Sequence, residues 1–321
     1  LSEGEVNKLF NKIKELKNAG ATIIYISHRL EEIDEICDYL TIMRDGMFIK
    51  SARVGEITRD EIISSMVGRS IENTYPKTAS NIGGVVLEVK NLSNNKVRDI
   101  SFAARRGEIL GFAGLVGAGR TEVARAIFGL DPIQAGGIYL NGQQVHIKNT
   151  RDAVDNGIMM VSEDRRKYGL VTKRSVLENI SLPNYNLYSK SPFVNHQAEV
   201  KRGQEICEKL QIKTPSLKTA ASSLSGGNQQ KIVIGKWLVS NPKVFILDEP
   251  TRGIDVGAKC EIYKLMCEFA AEGISIIMIS SDLPELIGMV DRVYVMNEGK
   301  ISGELNREEI TQERIMRLAT K

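Results

Sequence analysis

Three short stretches of this 321-residue chain carry residue types whose spacing suits phosphate chemistry. The first is Gly114-Leu115-Val116-Gly117-Ala118-Gly119-Arg120-Thr121. It follows an apolar run, Glu108 to Ala113, and opens a segment with helical spacing, Glu122 to Phe128. Strand, glycine-rich loop and helix in that order aim backbone N–H groups at a polyphosphate on the positive end of a helix. The pattern is G-x-x-x-x-G-K-[S/T] with one change, Arg120 in place of Lys, and Thr121 keeps a hydroxyl for Mg²⁺. The second stretch, Val244 to Thr251, sets Asp248 and Glu249 at the C-terminal end of an apolar strand, the end where open α/β sheets bind ligands. An Asp there holds the shell of a metal, and a following Glu orients or deprotonates an attacking water. The third is Leu224-Ser225-Gly226-Gly227-Asn228-Gln229-Gln230-Lys231. It reads as a serine-capped helix, running through Gln229 to Val239, with exposed amides that make a second anion site.

The elements that must position these residues are legible from their periodicity. Val244 to Leu247 is a continuous apolar run of the kind buried on both faces of a parallel sheet. Val85–Lys90, Ile100–Ala103, Glu108–Ala113 and Gly136–Gly142 alternate or end in turn residues, which predicts an antiparallel sheet beside the phosphate loop. Residues 174–212 read as mostly helical, through Val176–Ile180 and Ala198–Leu210. At the N-terminus a helical stripe over residues 1–18 stops at Gly20, and Thr22 to Ser27 is predicted to be a buried strand leading to His28. The same order returns near the other end at a constant offset of 253 positions, Gly20 against Gly273. It pairs Leu30 with Leu283, Asp38 with Asp291, Gly46 with Gly299 and His28 with Ser281. A repeat of that length predicts two copies of one domain. Residues 1–68 are then the C-terminal remnant of the first copy, 69–85 a linker, and 86–321 a whole second copy with a helical subdomain at about 171–234. The first copy's phosphate loop falls before residue 1, so the chain reads as a fragment.

Composition narrows the class. An apolar fraction of 42% and a charged fraction of 26% are those of a soluble globular protein, and a net charge of +3 argues against a surface that coats nucleic acid. The four scattered cysteines form no C-x-x-C pair and read as small hydrophobes in a reducing compartment. No apolar run nears the ~18 residues of a membrane span, so any membrane role comes through a partner. His146 and His196 read as surface residues, Trp237 as core, and Arg165-Arg166-Lys167 as a solvated or partner-facing loop.

Taken together these residues resemble the ATP-binding cassette (ABC) ATPases, most closely the ATPase subunit of bacterial monosaccharide importers of the ribose, galactose, xylose and arabinose type. The resemblance implies an α/β fold: an ABC-type P-loop NTPase core with an antiparallel β-subdomain and an α-helical subdomain, preceded by the remnant of a second such domain. It implies that Gly114, Gly117, Ala118, Gly119, Arg120, Thr121 and Glu163 bind ATP, and that Thr121 and Asp248 hold Mg²⁺. It makes Glu249 and His28 the catalytic pair. Leu224, Ser225, Gly226, Gly227 and Gln229 become the signature that caps ATP held by the opposite domain in a head-to-tail sandwich. Gly253-Ile254-Asp255 falls on the D-loop, with Leu1-Ser2 as its first-copy equivalent. The implied partners are transmembrane permease subunits, the first-copy nucleotide-binding domain or a dimer mate, and, indirectly, a periplasmic or extracellular sugar-binding protein, with no nucleic acid. The implied location is the cytoplasmic face of the cell membrane. Four departures lie in the second copy: Arg120 for Lys, Glu163 for Gln, Ser281 in place of the switch histidine, and no adenine-stacking aromatic between Val85 and Ile100. Together they imply a site that binds nucleotide weakly and hydrolyses it slowly. A non-hydrolytic regulatory module and a soluble tandem ABC protein acting on ribosomes or DNA are the competing readings.

Overall fold

A computed structural model describes residues 3–27, 30–44, 46–58, 61–62, 65, 75–77, 81–190 and 193–320. The chain forms two compact units, one of residues 1–74 with 255–257 and one of residues 75–254 with 258–321.

In the smaller unit a helix, Glu3–Asn18, is followed by a second, Leu30–Ile36, and by an antiparallel hairpin of β1 (Tyr39–Arg44) and β2 (Met47–Arg53). Leu30, Leu40, Ile42, Ile57 and Ile62 form its core. The segment Thr22 to Ser27 is not a strand, and Ile24 and Ile26 are 89% and 92% exposed. A central parallel strand exists only between neighbours that accept its N–H and C=O groups. Among the described residues the segment joins no sheet, and its Tyr25 and Ser27 hydroxyls donate to Glu32 instead. Leu1, Ser2, His28 and most of the linker at 69–85 lie outside the described residues.

The larger unit begins with β3 (Val85–Ser93), β4 (Ile100–Arg105) and β5 (Ile109–Gly114), then a helix at Arg120–Ile127, and then β6 (Ala135–Leu140) and β7 (Gln143–Val145). β8 (Ile158–Val161) precedes a helical region that contains helices Val176–Ser181 and His196–Lys209, with a two-residue-stranded hairpin, β9 (Ser189–Lys190) and β10 (Phe193–Val194), between them. The capped helix Gly226–Leu238, β11 (Val244–Asp248) and helix Val256–Ala271 follow. The chain closes with β12 (Ser275–Ile279), helix Leu283–Met289, β13 (Arg292–Asn297), β14 (Lys300–Asn306) and helix Gln312–Ala319. β4-β3-β6-β7 is an antiparallel sheet, and β14-β13-β5-β12-β11-β8 is a six-stranded sheet, parallel except at β14. The segment Glu108–Ala113, expected in the antiparallel sheet, is instead a central parallel strand, because its residues are buried on both faces.

Alternation along the central strands divides the core. Phe245, Leu247, Ile276 and Met278 pack with the helices at 226–238 and 256–271, whereas Val244, Ile246, Ile277 and Ile279 pack with the helix at 120–127 and the antiparallel sheet. Trp237 sits between these layers, edge-on to Phe128 at 5.8 Å. The repeat is exact in structure as well: β1 and β2 map onto β13 and β14 end for end at the 253-residue offset, including the bulge after Ile42 and after Val295.

The first residues of the larger unit are anchored to it. Tyr75 packs on Tyr263 at 5.5 Å and lies where a Cβ on Gly288 would fall. Lys77 pairs with Asp291 at 2.7 Å, with side chains 11% and 15% exposed, and Asp291 also accepts the Ile109 N–H. Lys77→Ala leaves that carboxylate short of a partner in a nearly dry place. We expect a loss of about 3 kcal/mol, the low end for a broken buried pair, in urea unfolding of the chain. A loss under about 0.5 kcal/mol would class the pair with exposed ones.

Candidate nucleotide site

The phosphate-loop candidates stand at the C-terminal end of β5, a strand with neighbours on both sides and therefore rigid. Gly114 leaves it with φ +148°, and a Cβ there would lie 2.5 Å from the Met296 carbonyl oxygen. Gly119 has φ +102°, with its open face 3.0 Å from Val97 and 3.2 Å from Gly299. These two glycines let the loop turn against β13; Gly117 (φ +83°) faces open space. Ala118 fixes the loop from below, its N–H donating to Leu115 O and its carbonyl accepting Gly299 N–H. The helix at 120–127 starts without a side-chain cap, so its first N–H groups are left for an anion.

Asp248 ends β11, separated from β5 by β12 alone. It is 1% exposed, and neither carboxylate oxygen has a hydrogen-bond partner among the described residues. Burial pushes its pKa up to about 6. The Thr121 hydroxyl, close but short of normal hydrogen-bond geometry, and the Arg120 charge pull it back, and Glu249 adds to the rise. A buried, orphaned carboxylate opposite a threonine hydroxyl at a helix start suits a hard divalent cation, which takes oxygen ligands.

Glu249 follows in the left-handed region, φ +50°, a costly place for a residue with a Cβ. Its N–H donates to Ile279 O at 2.9 Å, and its Oε2 accepts the Ser281 hydroxyl at 3.2 Å. Arg120 donates through Nη1 to Ser280 O at 2.8 Å, which ties the substituted loop residue to the tip of β12. Behind this row Glu285, 1% exposed, accepts Thr251 Oγ1 at 2.7 Å and Ser280 Oγ at 2.6 Å, and burial raises its pKa. Sequence spacing does not mark Thr251, Ser280 and Glu285 as site residues; the available signal is a hydroxyl just after each of two strands and a carboxylate in the first turn of helix Leu283–Met289.

Several expected site residues are placed differently. Glu163, expected at the nucleotide, pairs with Arg252, so its negative charge is met by a guanidinium. Gln229 is 2% exposed, and its amide nitrogen donates to Ala221 O and Leu224 O, so it shapes the signature loop from inside rather than facing outward. Gly227 is buried against Ala258 and Leu224 is partly buried against the core, which leaves Ser225 and Gly226 as the accessible members. Ser225 caps the helix by accepting Asn228 N–H. Arg165, read as part of a solvated or partner-facing loop, is drawn inward to two backbone carbonyls because it opens a turn that packs on the helix at 226–238. His146 is exposed, His196 is 74% exposed beside Glu199, and His28 lies outside the described residues.

A glycine-rich loop on a parallel strand, with a carboxylate ending the strand two places along, defines the P-loop NTPase class, and the antiparallel and helical additions are those of ATP-binding cassettes. Residues 97–252 match the family described as ABC transporter, and the chain therefore carries an ABC transporter domain. All of it aligns at 50% identity with a ribose import ATP-binding protein of Bacillus subtilis and at 50% with a xylose import ATP-binding protein of Thermoanaerobacter pseudethanolicus, spanning 65% of the length of each. In fold it is similar to the ADP conformation of MJ1267, an ATP-binding cassette of an ABC transporter, with a TM-score of 0.62 and 23% identity over 74% of this chain and 98% of that one. Among the described residues no helix is long and apolar enough to cross a membrane.

Proposed function

We propose that the chain is the C-terminal part of the ATP-binding, energy-coupling subunit of a monosaccharide importer, working as a head-to-tail pair of cassettes at the cytoplasmic face of the membrane. The observation that carries this is the buried, unpartnered Asp248 carboxylate under the loop at 114–121. In this reading the loop amides and Arg120 hold the phosphates, with Glu163 at the edge of the site. Thr121 and Asp248 hold Mg²⁺, which when bound neutralises charge on the β- and γ-phosphates. Glu249 orients the attacking water, helped by the Ser281 hydroxyl rather than by an imidazole. Ser225 and Gly226 face ATP held by the other cassette. His28 serves the first-copy site, which is the faster of the two. The permease is the membrane partner, and Tyr168, Val171, Leu182, Leu187 and Phe193, between the end of β8 and the helix at 196–209, are exposed apolar side chains open to it; a sugar-binding protein acts through that permease. Arg120 engaged on Ser280 and Ser281 on Glu249 also support a second reading, in which this site gates pairing of the cassettes by binding nucleotide without turning it over.

The test is fluorescence titration of the chain with a labelled ATP, with and without Mg²⁺, alongside phosphate release. Mg²⁺-dependent binding with turnover well below the ~1–10³ s⁻¹ usual for enzymes is expected. Turnover within that range would overturn the slow-site assignment, and no binding at all would overturn the nucleotide reading.

A further inference from the structure

Residues Arg165–Gly169 form a single π-helical turn, capped by Asp164, whose carboxylate accepts the N–H groups of Arg166 and Lys167. Such turns are rare and concentrate at functional places. This one is fastened at its far end to the signature helix. Lys236 donates to Gly169 O at 2.5 Å, and a Cβ on Gly169 would meet Val233 at 2.9 Å. At its near end Arg165 reaches across to the chain after Asp248. Its Nη1 donates to Arg252 O at 2.7 Å and its Nη2 to Gly253 O at 3.0 Å.

Two glycines make room for that guanidinium. A Cβ on Gly226, the first residue of the signature helix, would lie 2.9 Å from Nη2, and Gly253 (φ +66°) presents its open face to both terminal nitrogens at 3.7 and 3.9 Å. Arg165 Nε is buried without a partner among the described residues. A long cation with nothing to hold would turn to water rather than bury a donor unsatisfied. Beside it the Glu163–Arg252 ion pair makes a second tie between the same two segments.

We propose that Arg165 is a positioning residue for nucleotide bound in trans: its forked contacts to residues 252 and 253 beneath Gly226 carry the Ser225 helix end and the 252–253 backbone as one body with the 163–169 turn. Displacement of that turn then moves both segments together and by the same amount. This rests on the proposed function, in which those segments face ATP held by the other cassette. Only a planar fork reaches two adjacent carbonyls at once; an ammonium is a single point.

The experiment compares Arg165→Ala and Arg165→Lys with the wild type in the full-length protein, by amide hydrogen exchange and by steady-state ATP hydrolysis. Exchange at 225–228 and 252–254 is expected to rise about tenfold in both variants, with 114–121 unchanged. kcat is expected to fall about tenfold with KM within about twofold, and Lys not to rescue. Unchanged exchange and kcat would overturn the proposal, as would full rescue by Lys or a general rise in exchange across the fold. If the wild type fails to bind Mg-ATP, the nucleotide function falls, while the exchange comparison still decides whether Arg165 holds the two segments.

Discussion

Asp248→Asn is expected to make the nucleotide-free protein more stable at neutral pH while removing Mg²⁺-dependent nucleotide binding. The carboxyl has an ordinary pKa near 4 when unfolded and about 6 when folded. The folded state therefore holds the extra proton between those values, and stability falls as pH rises through that window. Above it the cost of the buried charge reaches about 3 kcal/mol, and the uncharged amide avoids it. The gain is expected near pH 7 and should vanish near pH 4, because both forms are then neutral. For a unit of this size about 3 kcal/mol is a rise of roughly 6–12 °C in melting temperature. Affinity for Mg-nucleotide should drop by at least the ~10–100-fold that changes to outer-shell residues cause. A variant that melts below the wild type at pH 7, or that binds Mg-ATP normally, would remove Asp248 from the metal role.

Gly114→Ala is expected to damage the fold and the candidate nucleotide site together. The new Cβ would stand 2.5 Å from Met296 O and 3.0 Å from the Ala118 side chain, on a backbone at φ +148°. Met296 is also the β13 residue paired with Gly114, so neither strand can give way without unzipping the other. Strain and overpacking together should cost about 3 kcal/mol, and the displaced loop should lose nucleotide by more than about tenfold. Gly117→Ala is the control. It meets nothing within 4 Å, so it should cost only the ~1 kcal/mol of a left-handed alanine. Equal melting temperatures for the two variants would contradict the packing described for Gly114.

Much of this was written in local patterns. The unbroken apolar run at 244–247 and the alternation at 85–90 named their sheets correctly, because burial on two faces and on one face leave different periods. The repeat was legible because each copy sets branched apolar side chains at the same positions of its core: Leu40, Ile42, Ile57 and Ile62 in one unit, and Val293, Val295, Ile310 and Ile315 in the other. The failure at Thr22 to Ser27 has the opposite cause, since a strand's existence depends on neighbours that its own residues do not encode. β8 is marked only by Gly157 followed by four apolar residues, a run too short to tell strand from helix, and the hairpin at 189–194 is too short to show a period. Arg165 and Glu163 could not be placed from sequence at all. Their partners lie nearly ninety positions away, and charge runs look alike whether solvated or tethered.

The left-handed backbone at Glu249 has a bearing on how variants of this protein are obtained. Glycine at that position would relax the chain by about 1 kcal/mol while deleting the carboxylate. On the proposed function, any selection that rewards yield or heat tolerance without demanding nucleotide turnover will therefore drift toward molecules that fold better and hydrolyse nothing, and libraries meant to harden this scaffold need position 249 held fixed from the outset.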